Sequence, residues 1–159
     1  VWSAGASTGE EAYTLAIIFS ELGLRCARGI LATDVDEEAL QFARQGIYPP
    51  GRLRHLPPGY LPKYFRAVGE NHQVIDQVKS LVSFKRHDLL RDPFPSGFDL
   101  ILCRNVVIYF TQEAKEKIYR GLAQALNPGG IIFTGATEQI FGSRDLDLVN
   151  LSPFFYQKK

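Results

Sequence analysis

The chain has 159 residues, 45% of them apolar and 22% charged, which fits one globular domain with one core and excludes a disordered chain. Eighteen Lys and Arg against 17 Asp and Glu leave a net charge of +1, which argues against a broad nucleic-acid footprint while leaving room for a local basic patch. No apolar run approaches the ~18–20 residues of a membrane span, and the two cysteines, Cys26 and Cys103, suit a reducing compartment rather than a disulfide framework.

Val1-Trp2-Ser3-Ala4-Gly5 reads as a strand entering a glycine loop. With no methionine and no signal-peptide pattern, the chain is expected to be a piece of a longer protein. Residues 11–22 place Ala12, Leu15, Ala16, Ile18, Phe19 and Leu22 on a helical stripe that ends at Gly23. A second strand over 29–34 ends on Asp34. Asp36 can then cap a helix to Gln45, with Leu40 and Ala43 facing inward and Gly46 just beyond. Prolines at 49, 50, 57, 58 and 62 break the alternation, so residues 49–79 read as an insertion, a small helical and hairpin subdomain. Strands resume over 81–85 and 98–103, the latter the most apolar and therefore expected at the centre of the sheet. Thr111 caps a helix through Leu126 that Asn127-Pro128-Gly129-Gly130 stops. Strands over 131–134 and 154–156 complete an α/β fold with a doubly wound, mainly parallel sheet.

The chemistry concentrates where strands end. Ser3-Ala4-Gly5-Ala6-Ser7-Thr8-Gly9-Glu10-Glu11 has Gly-x-x-x-Gly spacing, which fits neither the Gly-x-Gly-x-x-Gly dinucleotide fingerprint nor a P-loop. Glu10 and Glu11 would repel a pyrophosphate, so a ligand without phosphate, or with positive charge, fits better. The same acids would serve a plain tight turn by complementing the helix dipole. Asp34 tips the balance, since an acid at the end of the second strand is placed to hydrogen-bond a ribose diol. Asp88, after the third strand, can reach an adenine amino group while Leu89 packs on the ring. Alternatively, Asp88 is a loop acid beside Arg86 or Arg91. His87 lacks Cys or His neighbours at ligand spacing, so no metal site is expected. In Cys103-Arg104-Asn105-Val106-Val107-Ile108-Tyr109-Phe110 a polar pair leaves the carboxyl end of an apolar strand, the edge at which open α/β sheets bind ligands.

These motifs together resemble the CheR-type chemotaxis protein-glutamate O-methyltransferases. The matching pieces are Trp2-Ser3-Ala4-Gly5-Ala6-Ser7-Thr8-Gly9-Glu10-Glu11, Ala32-Thr33-Asp34-Val35-Asp36, Gly46-Ile47-Tyr48, the block from Cys103 to Phe110, and Asn127-Pro128-Gly129-Gly130. The resemblance implies a Rossmann-like class I methyltransferase fold over residues 1–159, with about seven strands, the last antiparallel, and the insertion outside the sheet. It implies S-adenosylmethionine as cofactor, S-adenosylhomocysteine as product, and a pocket with Gly5, Ser7, Gly9, Glu10, Asp34, Asp88, Leu89, Arg104 and Asn105. The resemblance implies that members usually carry Asn where this chain has Asp88, and that an N-terminal helical domain is expected outside these 159 residues.

The implied reaction is in-line attack of a receptor glutamate carboxylate on the sulfonium methyl. The carboxylate is already ionised at neutral pH, so no general base is assigned, and Tyr109 is a candidate for positioning only. The implied partners are the cytoplasmic helices of chemoreceptors, with no nucleic acid and no membrane insertion, in the cytoplasm. Arg52, Arg54, Lys63 and Arg66 of the insertion lie outside the glycine loop and could steer an acidic helix. The competing readings are a methyltransferase with another substrate, and an inactive cofactor-binding signalling scaffold.

Overall fold

A computed structural model describes residues 1–135, 138–140 and 142–159. In chain order the elements are β1 (Trp2–Ala4), α1 (Glu10–Glu21), β2 (Ile30–Asp34), α2 (Glu37–Gln45), β3 (Ile47–Tyr48), α3 (Tyr60–Tyr64), β4 (Phe65–Val68), β5 (Asn71–Val74), α4 (Asp76–Lys79), β6 (Val82–Arg86), β7 (Phe98–Leu102), α5 (Gln112–Ala125), β8 (Leu126–Phe133), β9 (Leu148–Ser152) and β10 (Phe155–Lys158). Short 3-10 turns occupy Pro50–Leu53, Val107–Tyr109 and Ser143–Leu146. The strands order as β6-β2-β1-β7-β8-β10-β9 in a seven-stranded sheet and β3-β5-β4 in a three-stranded one. The expected seven-stranded α/β fold is therefore present, and β7, its most apolar strand, is the middle one. The chain divides into two compact units, Ala6–Arg86 and Val1–Gly5 with His87–Lys159.

In the unit Ala6–Arg86, β2 and β6 run parallel from Ile30 against Val82 to Asp34 against Arg86. Helix α1 buries Ala12, Tyr13, Leu15, Ala16 and Ile17. Ala6, Ala12 and Ala32 form a small-residue cluster that Val82 and Phe84 cover. Asp36 caps α2 as expected, its carboxylate accepting from the N–H groups of Glu38 and Ala39. Gly46 ends the helix in the left-handed conformation at φ 63°. Beyond it, β4 and β5 form a hairpin from Phe65 to Val74. One detail differs from expectation: Ile47 and Tyr48, in no expected strand, pair with β5 in the small sheet, while Phe84 stands in β6 within the strand expected over 81–85. Pairing of β3 was illegible because two residues show no alternation.

In the other unit, β1 runs parallel to β7, with Trp2 opposite Ile101 and Ser3 opposite Leu102. Strand β8 is parallel to β7, and β10 is antiparallel to both β8 and β9. The buried Trp2 ring meets His87, Phe94 and Phe98 at centroid distances of 5.6, 5.9 and 5.3 Å. Such a cluster contributes on the order of 0.5–1.5 kcal/mol per aromatic pair beyond the area buried. The 127–130 turn stops α5 as read, yet it lies inside β8 as an irregularity. The β7 partners jump from Leu126, opposite Phe98, to Ile131, opposite Leu100. Strand β9 was missed altogether.

Candidate functional site

In the Ala6–Arg86 unit, the loop between β1 and α1 is fixed by its own backbone. Ser7 adopts φ 45°, and Gly9 φ 92°, a conformation that favours glycine. A Cβ at Gly9 would stand 2.8 Å from Ala43 Cβ, 3.1 Å from the Tyr48 hydroxyl and 3.2 Å from the Phe84 ring, so no side chain fits there. The buried Tyr48 hydroxyl donates to Thr8 O at 2.7 Å and anchors the loop from below. Burial, reinforced by the nearby Glu10 carboxylate, pushes the Tyr48 hydroxyl far above the ordinary tyrosine range, so it stays a donor.

Asp34, at the end of β2, faces this loop. One carboxylate oxygen accepts from Ser7 N–H at 2.8 Å and the other from Asp36 N–H at 3.0 Å. Two backbone donors fix the plane of the carboxylate, and each oxygen keeps a second lone-pair direction for a ligand hydroxyl. Ser7 and Asp34, both read as pocket residues, are thus brought into direct contact. Glu10 turns elsewhere, accepting from Thr8 Oγ1 at 2.7 Å and pairing with Arg52 Nη1 at 2.6 Å. Arg52 also donates to Thr8 Oγ1 at 2.8 Å and lies 5.2 Å from the Phe42 ring centroid. Arg52, read as lying outside the glycine loop, thus bonds directly to Thr8 and Glu10 of that segment. An arginine 42 positions from Glu10 gives no spacing signal in the sequence.

In the other unit, Asp88 forms a tight turn with local partners. Its N–H donates to Asp92 Oδ2 at 2.8 Å, its Oδ1 accepts from Leu90 N–H at 2.9 Å, and Arg91 Nε lies 3.7 Å from Oδ2. Leu89 beside it is buried. The segment after β7 carries Arg104 and Asn105 at the surface, with Asn105 at φ 57°. Gly5 packs beneath this segment, since a Cβ there would stand 2.2 Å from Val106 Cγ2. Tyr109 ends the 3-10 turn and is 83% exposed. Cys103 is fully buried.

Glu138 was not singled out from the sequence. It is 5% exposed, and its two carboxylate oxygens accept from the N–H groups of Asn105 and Ile108 at 2.9 and 3.1 Å. Its only sequence signal is an acid standing alone before Gln139 and Ile140.

Comparison with known proteins identifies the architecture. Residues 1–153 match the family model described as CheR methyltransferase, SAM binding domain. The chain belongs to this family. It is 42% identical to a chemotaxis protein methyltransferase of Listeria innocua over 159 residues, 99% of this chain and 60% of that protein. It is 40% identical to that of Salmonella typhimurium, over 87% of this chain and 51% of that protein. The chain therefore spans between half and two thirds of the length of these relatives. Among solved structures, a TehB-like SAM-dependent methyltransferase from Corynebacterium glutamicum superposes with a TM-score of 0.55 at 17% identity, covering 98% of this chain and 76% of that one. That likeness shows the fold, a class I methyltransferase fold. S-adenosylmethionine is the cofactor of the family. The groups described above suit it: a fixed acid that accepts from ribose hydroxyls, and a glycine loop whose neighbouring cation, Arg52, is paired with Glu10. No helix among the described residues is long and apolar enough to cross a membrane.

Proposed function

We propose that this chain is the cofactor-binding, catalytic part of a methyltransferase that esterifies glutamate side chains on the cytoplasmic helices of chemoreceptors. The observation that carries the cofactor side is the Asp34 carboxylate, fixed by Ser7 and Asp36 N–H groups at the end of β2. The relatives' names carry the substrate side. Gly5, Ser7, Gly9, Glu10, Asp34, Asp88, Leu89, Arg104 and Asn105 are the residues assigned to the cofactor. When bound, S-adenosylmethionine supplies an electrophilic methyl group on a sulfonium centre. Asp34 accepts the ribose hydroxyls, and Leu89 offers an apolar surface to the adenine. Asp88 serves the adenine edge with whatever acceptor capacity its bonds to Leu90 and Arg91 leave. Arg104 and Asn105 lie at the carboxyl end of β7 and serve the amino-acid portion. A glutamate substrate is ionised at neutral pH and needs no base from the chain. The chain's work is alignment and exclusion of water, with Tyr109 as the positioning residue.

Residues 49–79 are assigned to receptor contact in the cytoplasm. Three of the four cations read as steering groups are held by other groups: Arg52 by Glu10, Lys63 by Glu21 at 2.7 Å, and Arg66 by Gln73 at 2.7 Å, with Asp76 at 3.9 Å. Arg54 donates to Gly51 O at 2.9 Å and forms no ion pair among the described residues, so it is the cleaner probe of electrostatic steering. The test of the function is transfer of labelled methyl from S-adenosylmethionine to purified receptor by the full-length protein, followed by mild alkali. Release of the label as methanol is the expected outcome, because esters hydrolyse and N-methyl groups do not. Label that survives alkali rejects the glutamate ester, and absence of transfer with intact cofactor binding favours the scaffold.

A further inference from the structure

The last residue of β8 and two described residues beyond it, Gly135 and Glu138, each contact the turn that follows β7. Phe133, the last residue of β8, lies under the Arg104 guanidinium at 5.6 Å and stacks on Phe155 at 4.4 Å. At Gly135, φ 85°, a Cβ would stand 3.1 Å from Arg104 Cγ, so the missing side chain is the space that Arg104 occupies. Glu138 closes the arrangement. Its buried carboxylate takes the N–H of Asn105 with one oxygen and the N–H of Ile108 with the other. Asn105 is held at φ 57°, a left-handed conformation that needs surrounding structure to maintain it. Thr134 Oγ1 donates to Glu138 O at 2.5 Å and fixes the backbone from which the carboxylate reaches. A glutamine here would present its NH2 group to one of the two N–H donors, whereas the two carboxylate oxygens accept from both.

We propose that Glu138 is a positioning residue for the cofactor: its carboxylate clamps the 104–108 turn so that Arg104 and Asn105 are presented in one fixed arrangement. The inference rests on the assignment of Arg104 and Asn105 to S-adenosylmethionine and extends it to a residue that touches neither cofactor nor substrate. The test compares the full wild-type chain with Glu138→Gln in two measurements. In amide hydrogen exchange, Asn105 and Ile108 should exchange at least tenfold faster in the variant, while Ile101 and Ile132 in the sheet stay protected as in wild type. In calorimetry with S-adenosylhomocysteine, affinity should fall at least tenfold. Should Glu138→Gln not fold, Glu138→Asp keeps the charge but falls one methylene short of the turn, and the same two changes are expected. Unchanged affinity, or unchanged exchange at Asn105 and Ile108, overturns the proposal. Faster exchange that extends equally to Ile101 and Ile132 also overturns it, because Glu138 would then support the core alone. A wild-type chain that does not bind S-adenosylhomocysteine overturns the cofactor assignment itself, a result distinct from a variant that binds as well as wild type.

Discussion

At the scale of single residues, Asp34 and Asp36 sit two positions apart and do different work. Asp36 caps α2 through its side chain, while Asp34 spends one bond on Asp36 N–H and one on Ser7 N–H. Asp34→Ala should weaken S-adenosylhomocysteine binding by roughly 1–3 kcal/mol, the cost of leaving hydroxyl groups without their acceptor. Asp36→Ala should instead lower stability by about 1 kcal/mol, the usual effect of a lost N-cap, and leave affinity in place. Calorimetry beside urea unfolding separates the two, and equal affinity in Asp34→Ala removes Asp34 from the ribose. Asp34 was legible because the acid at a strand end and the glycine loop are both short-range patterns. Arg52 and Glu138 were not, since each acts on a segment that is distant in sequence, and only the fold brings the two together.

At the scale of elements, α5 carries a glycine at its buried face. A Cβ at Gly121 would stand 2.6–2.7 Å from three atoms of the Phe94 ring, which itself meets Trp2 at 5.9 Å and His87 at 5.7 Å. Replacing a helical glycine by alanine ordinarily gains about 1 kcal/mol. Overpacking against a ring held by two other rings costs roughly 1–3 kcal/mol. The cost wins, so Gly121→Ala should lower the urea midpoint at constant m-value, and Phe94→Leu should relieve part of the loss. A rise in midpoint would show that the ring yields without cost. The elements themselves were legible where a period or a cap announced them, as at Asp36, Gly46 and Thr111. Strand β9 has neither: Leu148-Val149-Asn150-Leu151-Ser152 is short, mostly exposed and set between Asp147 and Pro153, so its pairing with β10 comes from tertiary context.

At the scale of the whole molecule, burial of tyrosine hydroxyls ties stability to alkaline pH. Burial pushes Tyr13 up to about 12, and drives Tyr48 and Tyr119 further in the same direction. Below pH 10 the folded and unfolded chains both keep these protons, so stability does not depend on them. Above pH 10 the unfolded chain releases protons that the folded chain holds, and stability falls by roughly 1.4 kcal/mol per pH unit for each tyrosine until its folded pKa is reached. For Tyr13 the window runs from pH 10 to about 12, a loss of roughly 3 kcal/mol. Its hydroxyl also donates to Ala43 O at 2.8 Å, and removing that bond leaves a buried carbonyl short of a donor, a cost of about 1–2 kcal/mol. The two effects oppose each other and only the ionisation depends on pH, which makes Tyr13→Phe a decisive variant. At pH 7 it should be less stable than wild type by the hydrogen bond alone. As pH rises past 10 the wild type declines faster, and the two curves should cross between roughly pH 10.7 and 11.5. Urea unfolding at half-unit intervals from pH 8 to 12 checks this, with absorbance at 295 nm reporting tyrosine ionisation. Parallel curves across the whole range would show that Tyr13 ionises in the folded chain at its ordinary pH.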